Sequence, residues 1–369
     1  MTEMKVTPWE VSGDIDYGRL IKEFGLTPMK KLPDVFEKEL LFRRGFIFAH
    51  RDFQRILVSV KNKKKFVMMT GLMPTGKFHI GHMIIAQQMV FYQKLGAKVY
   101  IAVADIEAFH ARGQSLEESR KIAIEEYITN YIALGLNPKD CHIYFQSDRS
   151  NDSKKSNAYY RLENLFAKHA TFNEFKAVYG EITPGKMVSA LLQASDMFHA
   201  QLPEFEGKVP VLIPVGVDQD PHIRLARGMG NKIKNDFIQI SSTYNTFLPG
   251  LGGDKMSASD PLSYIALTDS PIEVETKIKK YAFSGGQATL EEHRKKGGNP
   301  DVDVSYQYLR LFESDDKKLK KIYDDYKSGK LLTGELKQIL IDKLKIFLKE
   351  HQVKRQNAKK VLNKFMVKD

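Results

Sequence analysis

Residues 66–96 read FVMMTGLMPTGKFHIGHMIIAQQMVFYQKLG. The apolar run 66–70 predicts a buried strand, and Gly71, Pro74 and Gly76 break it. From His79 onward the spacing turns helical, with Ile80, Met83, Ile84 and Met89 available for one buried side. Strand, turn and helix thus follow one another, with His79-Ile80-Gly81-His82 at the helix start. The first N–H groups of a helix lack internal partners and carry partial positive charge, which favours a phosphate there. His79 and His82 are three residues apart and project from the first turn. Gly81 has no side chain, so a flat purine fits against its backbone. The stretch points to a nucleoside triphosphate. Two capping histidines beside a packing glycine would produce the same word.

A second stretch lies far along the chain, at Gly252-Gly253-Asp254-Lys255-Met256-Ser257-Ala258-Ser259. It follows Leu248-Pro249-Gly250-Leu251, which makes it a flexible loop. Lys255 is a mobile point charge on a long stem, and Ser257 and Ser259 offer hydroxyl donors. Such a loop suits a pyrophosphate whose negative charge grows as it leaves. An isolated Lys-Met-Ser reads as a solvated turn; paired with residues 79–82 it reads as half of a nucleotide site.

The chain has 369 residues, enough for two or three domains with sizeable cores. Net charge is +12, and residues 311–369 carry 16 Lys/Arg against 9 Asp/Glu. An anionic partner fits this excess, although basic charge alone does not define one. Cys141 is the only cysteine, which excludes an intramolecular disulfide and a cysteine-rich zinc site. It reads as a small buried strand residue. No stretch approaches the roughly 18 apolar residues of a membrane span. The start, MTEMKVTPWEV, lacks the apolar core of a signal peptide. The expected location is cytoplasmic.

Residues 1–65 form a mixed N-terminal segment, with a short helix expected over 34–41. Residues 66–268 alternate strand and helix, with further strands expected at 99–103, 143–145, 209–215 and 237–240. Ser115 and Glu118 make a capping box for a long helix through Leu134. Residues 151–157 read as a polar loop. This alternation predicts an α/β domain built on a doubly wound parallel sheet. In such sheets ligands bind beyond the C-terminal strand ends. Gly71, residues 105–107 and residues 216–220 all fall there, which argues for one shared site. Residues 269–369 are mainly helical and basic.

The two motifs together resemble the signatures of class I aminoacyl-tRNA synthetases. A closer resemblance, to the archaeal and eukaryotic branch of the tryptophanyl-tRNA synthetase family, covers nearly the whole chain. It rests on VTPWEVSGDIDYGRLIKEFG at 6–25, IPVGVDQDPHIRLAR at 213–227 and KMSASDP at 255–261. AFSGGQATLEEHRKKGGNPDVDVSYQYL at 282–309 and LLTGELKQILIDKLKIFLKEHQ at 331–352 extend it. The last two separate this branch from the tyrosyl enzymes, which share the core. The resemblance implies a Rossmann-like catalytic domain followed by an all-α anticodon-binding domain.

It also implies a two-step reaction. ATP and L-tryptophan give tryptophanyl-adenylate and pyrophosphate, and the terminal ribose 2′-hydroxyl of tRNA(Trp) then takes the aminoacyl group. His79, His82, Lys255 and Ser257 are the implied donors to the phosphates. Gly71 and Thr75 border the ATP, Gly81 lies beneath adenine, and Met256 completes the loop. Asp218 and Gln219 match positions facing ATP ribose and the amino acid. Mg²⁺ is expected with the phosphates, without a dedicated metal site in the protein.

An indole offers one N–H donor, so its pocket needs an acceptor among apolar walls. The candidates for tryptophan binding are Glu107, Gln193, Asp196 and Gln219. Asp196 would accept from an indole N–H or a phenol O–H. The chain departs from the eukaryotic pattern at Met69, where a tyrosine is expected, and at Ala102, where a glutamine is. A homodimer is implied by the subclass. Thr7-Pro8-Trp9-Glu10 resembles a segment that folds over the active site, and Lys354, Arg355, Lys359 and Lys360 form the densest basic cluster. Three readings compete: a tyrosyl enzyme with the same chemistry, a non-catalytic synthetase-like protein that binds RNA, and a nucleotidyltransferase with a similar His-x-Gly-His start, which would have no reason to carry the basic C-terminal domain. Loss of a motif histidine or of Lys255 would mark the second; both motifs are intact.

Overall fold

In the computed structural model, residues 5–6, 11–12, 15–233, 237–256 and 260–366 are described. Two short strands, β1 (Lys5–Val6) and β2 (Val11–Ser12), pair antiparallel. The main sheet holds β3 (Thr27–Pro28), β4 (Ile47–Arg51), β5 (Phe66–Leu72), β6 (Ala97–Val103), β7 (Cys141–Phe145), β8 (Val211–Gly216) and β9 (Ser241–Asn245). Their order is β3-β4-β9-β8-β5-β6-β7. The run from β9 to β7 is parallel, and β4 and β3 close one edge antiparallel. The chain winds outward through β5, β6 and β7, then crosses to β8 beside β5 and winds the other way. The reversal between β5 and β8 is the switch point at which such sheets bind ligands.

β5 supplies side chains to both faces because successive residues of a strand point oppositely. Phe66 and Met68 join a core with Ile84, Met89 and Leu212, while Val67 and Met69 join one with Tyr100, Tyr144 and Phe198. Burial on both faces explains why β5 reads as a continuous apolar run. Cys141 is a buried residue of β7, and burial pushes its thiol up to about 12.

Several boundaries differ from the sequence reading. The fifth strand is not 237–240 but β9, whose sequence is SSTYN and whose residues are all buried. Its hydroxyls are paired: Ser241 Oγ donates to Asp52 O at 2.9 Å and Ser242 Oγ to Tyr244 Oη at 2.8 Å. Pairing offsets the cost of burying these groups. Residues 34–41 form two short helices, Asp34–Glu37 and Leu40–Arg43. Residues 153–157 lie inside the helix Ser153–Ala167, capped by Asp152, whose side chain accepts from Lys154 N at 2.9 Å. The helix expected over 115–134 changes pitch midway. Leu116–Ile122 is α, Ala123–Ile128 is π and Thr129–Ala133 is α again.

The C-terminal region is helical: Pro271–Tyr281, Leu290–Lys296, Val304–Phe312, Asp316–Lys327 and Thr333–Val361. Gly297 has φ +73°, and a Cβ there would lie 1.8 Å from Lys327 O; only glycine fits this close approach. Leu340, Ile341 and Leu344 of the last helix share one apolar core with β5 and the helix Ile80–Lys94. His351 Nε2 lies 2.7 Å from Asn130 Oδ1, and Arg355 Nη2 donates to Glu125 O at 2.8 Å. Arg355 is therefore turned inward, whereas Lys354, Lys359 and Lys360 are exposed.

Candidate active site

The C-terminal ends of β5 and β8 open into a cavity of ≈ 480 Å³. One end is bordered by Gly71, Thr75, Gly81 and His82, with Asp218, Gln219 and Lys255 across from them. The other end is lined by Glu107, Gln193 and Asp196. Strand ends far apart in sequence thus meet at the switch point. Ser257 and the 7–10 segment lie outside the described residues.

Behind the border formed by Gly81 and His82, His79 is buried outside the cavity lining and is the N-cap of the helix Ile80–Lys94. Its Nδ1 accepts from Gly81 N at 3.2 Å, and His82 Nδ1 accepts from His79 N at 3.1 Å. The rings stack with centroids 3.8 Å apart. Burial holds both imidazoles below their ordinary pKa, His82 at about 4, and His82 lowers His79 further. Each ring is therefore neutral at pH 7. With Nδ1 accepting, the ring proton resides on Nε2, which leaves one N–H donor per histidine. Capping fixes the tautomer and leaves Nε2–H of each ring free of the cap.

The loop before His79 is clamped by Tyr127 of the π-turn and by Gln114, ahead of the helix Leu116–Ile122. Tyr127 Oη donates to Thr75 O at 2.7 Å, and Gln114 Nε2 donates to Pro74 O at 3.0 Å. A π-turn inserts one residue into the helical ladder and re-aims its side chains. Above Gly81, a Cβ would lie 3.0 Å from Met256 Sδ. The missing side chain is what lets residues 255–256 close against the helix start. Lys255 Nζ lies 3.3 Å from Asp218 Oδ2, which also accepts from Gln219 Nε2 at 3.0 Å. Gly216 admits this carboxylate, since a Cβ there would stand 2.4 Å from Asp218 Oδ1.

The opposite end is a buried polar network; Glu107, Gln193 and Asp196 are sequence candidates there, whereas Tyr144, Gln146, Arg149 and Tyr159 are not. Tyr144 Oη and Tyr159 Oη each donate to Asp196 Oδ1 at 2.7 Å, and Gln146 Nε2 donates to Oδ2 at 2.8 Å. Burial pushes Asp196 up to about 6, against those three hydrogen bonds and the positive charge of Arg149. Arg149 is itself buried, with its guanidinium 4.1 Å from the Tyr144 ring centroid and its Nε 3.1 Å from His199 Nε2. Glu107 is pushed up to about 7, first by burial and then by the Asp196 charge. Met69 is buried at this end. Ala102 stands opposite Tyr144 across β6 and β7, so the polar groups come from β7 and the helices instead. One signal would have found Gln146: it follows directly on β7, at a C-terminal strand end.

A doubly wound sheet with a histidine-capped helix and a lysine loop meeting across its switch point defines a class I synthetase-type nucleotide site. The model of the tRNA synthetases class I (W and Y) family matches residues 61–349. Tryptophan–tRNA ligase of Aeropyrum pernix is 43% identical over 369 residues, covering 98% of this chain and 97% of that protein. Its counterpart in Methanocaldococcus jannaschii is 42% identical, covering 99% of each. The crystal structure of tryptophanyl-tRNA synthetase from Aeropyrum pernix K1 superposes with a TM-score of 0.89, covering 96% of this chain and 97% of that one. The Encephalitozoon cuniculi tryptophanyl-tRNA synthetase bound to tryptophan is 30% identical, with a TM-score of 0.83 and coverage of 96% and 98%. This chain belongs to the class I tRNA synthetases of the tryptophan and tyrosine group, and within it to the tryptophan–tRNA ligases.

Proposed function

We propose that the chain activates L-tryptophan with ATP and transfers it to the 2′-hydroxyl of the terminal adenosine of tRNA(Trp). One observation carries this reading: two of the phosphate donors, His82 and Lys255, line the same cavity as the acceptors of the ring chamber, Glu107, Gln146, Gln193 and Asp196. Its likeness over nearly the full length to named tryptophan–tRNA ligases supports the substrate.

Activation needs positioning and charge stabilisation more than covalent help. ATP enters as its magnesium complex, with adenine near Gly81 and Met256 and its ribose towards Asp218 and Gln219. Gly71 and Thr75 border the nucleotide. The tryptophan carboxylate attacks the α-phosphorus, a new O–P bond forms, and the bond to the β-phosphate oxygen breaks. His79 and His82 donate through Nε2–H to the phosphates. Lys255 leaves Asp218 and follows the charge onto the departing pyrophosphate, with Ser257 beside it. In the second step the ribose hydroxyl attacks the adenylate carbonyl and AMP departs. Glu107, Gln193 and Gln219 surround the amino acid backbone, with Glu107 facing its ammonium group.

That role gives Glu107 a pH signature. With the carboxyl pushed up to about 7, it is protonated in the free protein below that pH. Tryptophan binding through its ammonium then weakens as pH falls, by about tenfold per unit. A plot of log KM for tryptophan against pH should rise on the acid side of neutrality. Glu107→Gln should raise KM and flatten the plot; an unchanged slope in that variant would remove Glu107 from ammonium binding.

Residues 269–369 serve as the anticodon-binding domain in this reading, with residues 1–65 leading into the 66–268 catalytic domain. The exposed Lys354, Lys359 and Lys360 suit an RNA backbone. A homodimer is supported by Phe109, Phe172 and Val188, which are 52%, 62% and 38% exposed; the helices of the first two both pack against Pro184–Phe198, which carries the third. Among the described residues no helix is long and apolar enough to cross a membrane, and we place the protein in the cytoplasm. Charging of unfractionated tRNA with labelled tryptophan tests the overall activity. Labelled tyrosine incorporated in its place would overturn the substrate.

A further inference from the structure

Among the described residues that line the cavity, two buried side-chain atoms have no hydrogen-bond partner, Gln146 Oε1 and His222 Nδ1, and only the first is an amide oxygen that must accept. Gln146 is buried, and its Nε2 donates to Asp196 Oδ2. A carboxylate accepts and does not donate, so the amide must present its NH₂ to Asp196 and turn its oxygen away. That oxygen, Oε1, is buried and has no hydrogen-bond partner among the described residues. Native interiors rarely leave such an acceptor unmade, because its desolvation is not recovered. The side chain is also held in place. Gln146 N donates to Val103 O at 3.0 Å, and Tyr160 Oη donates to Gln146 O at 2.8 Å.

We propose that Gln146 is the specificity-determining residue for the indole, with its Oε1 accepting the indole N–H. Asp196 is then a positioning residue, and its task is to fix the amide orientation. Its Oδ1 already takes two tyrosine hydroxyls, and its Oδ2 takes the Gln146 amide. This inference rests on tryptophan being the substrate and names how it is told apart from tyrosine. Indole carries one N–H and no ring acceptor, whereas a phenol oxygen seeks both to donate and to accept. At this end of the cavity the tyrosine hydroxyl protons are spent on Asp196. The Asp196 floor therefore offers acceptors, not the hydroxyl protons of Tyr144 and Tyr159, to a ring placed on it. It also supplies the acceptor that Met69 and Ala102 cannot.

The test compares tryptophan with 3-(3-benzothienyl)alanine, in which sulfur replaces the ring N–H, in ATP–pyrophosphate exchange. Wild-type exchange with tryptophan establishes the substrate independently of Gln146. In Gln146→Met, kcat/KM for tryptophan should fall roughly 10- to 100-fold, the usual loss when a buried donor is left unpaired. The analogue should change by less than about threefold, the range of a packing change alone, with the KM for ATP unaltered. The preference for tryptophan over the analogue should therefore collapse. A preference that survives in Gln146→Met overturns the assignment, since the N–H is then read elsewhere. If the variant does not fold, the tryptophan complex of the wild-type chain decides. The indole nitrogen should lie about 2.7–3.2 Å from Gln146 Oε1; a nitrogen bonded only to Asp196 Oδ2 overturns it.

Discussion

Replacing Lys255 by alanine is expected to lower tryptophan-dependent ATP–pyrophosphate exchange by roughly 10²–10³-fold, or about 2.7–4 kcal/mol of barrier. The loss should fall mainly on kcat. Lys255 lies at the phosphate-side end of the cavity, 3.3 Å from Asp218 Oδ2, and away from the ring chamber. An interaction made chiefly in the transition state lowers kcat and kcat/KM together and leaves ground-state binding alone. The side chain is partly exposed, so its pairing with Asp218 is a weak resting contact that a polyphosphate can displace. Steady-state exchange with purified variant checks this. A loss below about fivefold would remove Lys255 from the charge stabilisation that Coulomb attraction demands of it.

Asp220→Ala is expected to cost about 3–5 kcal/mol of folding stability, the toll of stranding a buried partner. Asp220 is fully buried and takes a two-pronged contact from Arg51, Nε to Oδ1 and Nη2 to Oδ2, each at 2.9 Å. Tyr244 Oη donates to Oδ1 as well, and Arg224 Nε stands 3.1 Å from Oδ2. Arg51 belongs to β4 and Tyr244 to β9, so one carboxylate ties both strands to the start of the helix Asp220–Lys232. That helix follows directly on Asp218 and Gln219. The aspartate also suits the positive end of the helix dipole. Urea unfolding should show a lower midpoint with little change in slope. A shift under about 1 kcal/mol would mean that Arg51 finds another partner.

The parts of this fold that repeat a local pattern were legible in the sequence. β5, its turn and the His79–His82 helix start follow from apolar period and breakers, and they point at the switch point. The misread parts depend on partners distant in the chain. β9 is polar in sequence and buried in space because Asp52 and neighbouring hydroxyls satisfy it. Meanwhile 237–240 is apolar and is not a strand. The π-turn at Ala123–Ile128 carries no periodic signature, yet Tyr127 within it holds Thr75. Asp196 was legible as a candidate only because it matches a family position and an indole N–H needs an acceptor. Its partners Tyr144, Gln146 and Tyr159 come from β7, the residue after it and a separate helix, so only the fold assembles them.

Amino-acid-dependent ATP–pyrophosphate exchange, run in parallel with tryptophan and tyrosine, tests the substrate most directly. Exchange with tryptophan, and at least about 10²-fold less with tyrosine, is the expected result, since a site built around one N–H donor rejects a ring that needs a donor in return. Exchange that favours tyrosine would contradict the substrate while leaving the His79, His82 and Lys255 chemistry in place. No exchange with either, from folded protein that still binds tRNA, would contradict catalysis itself.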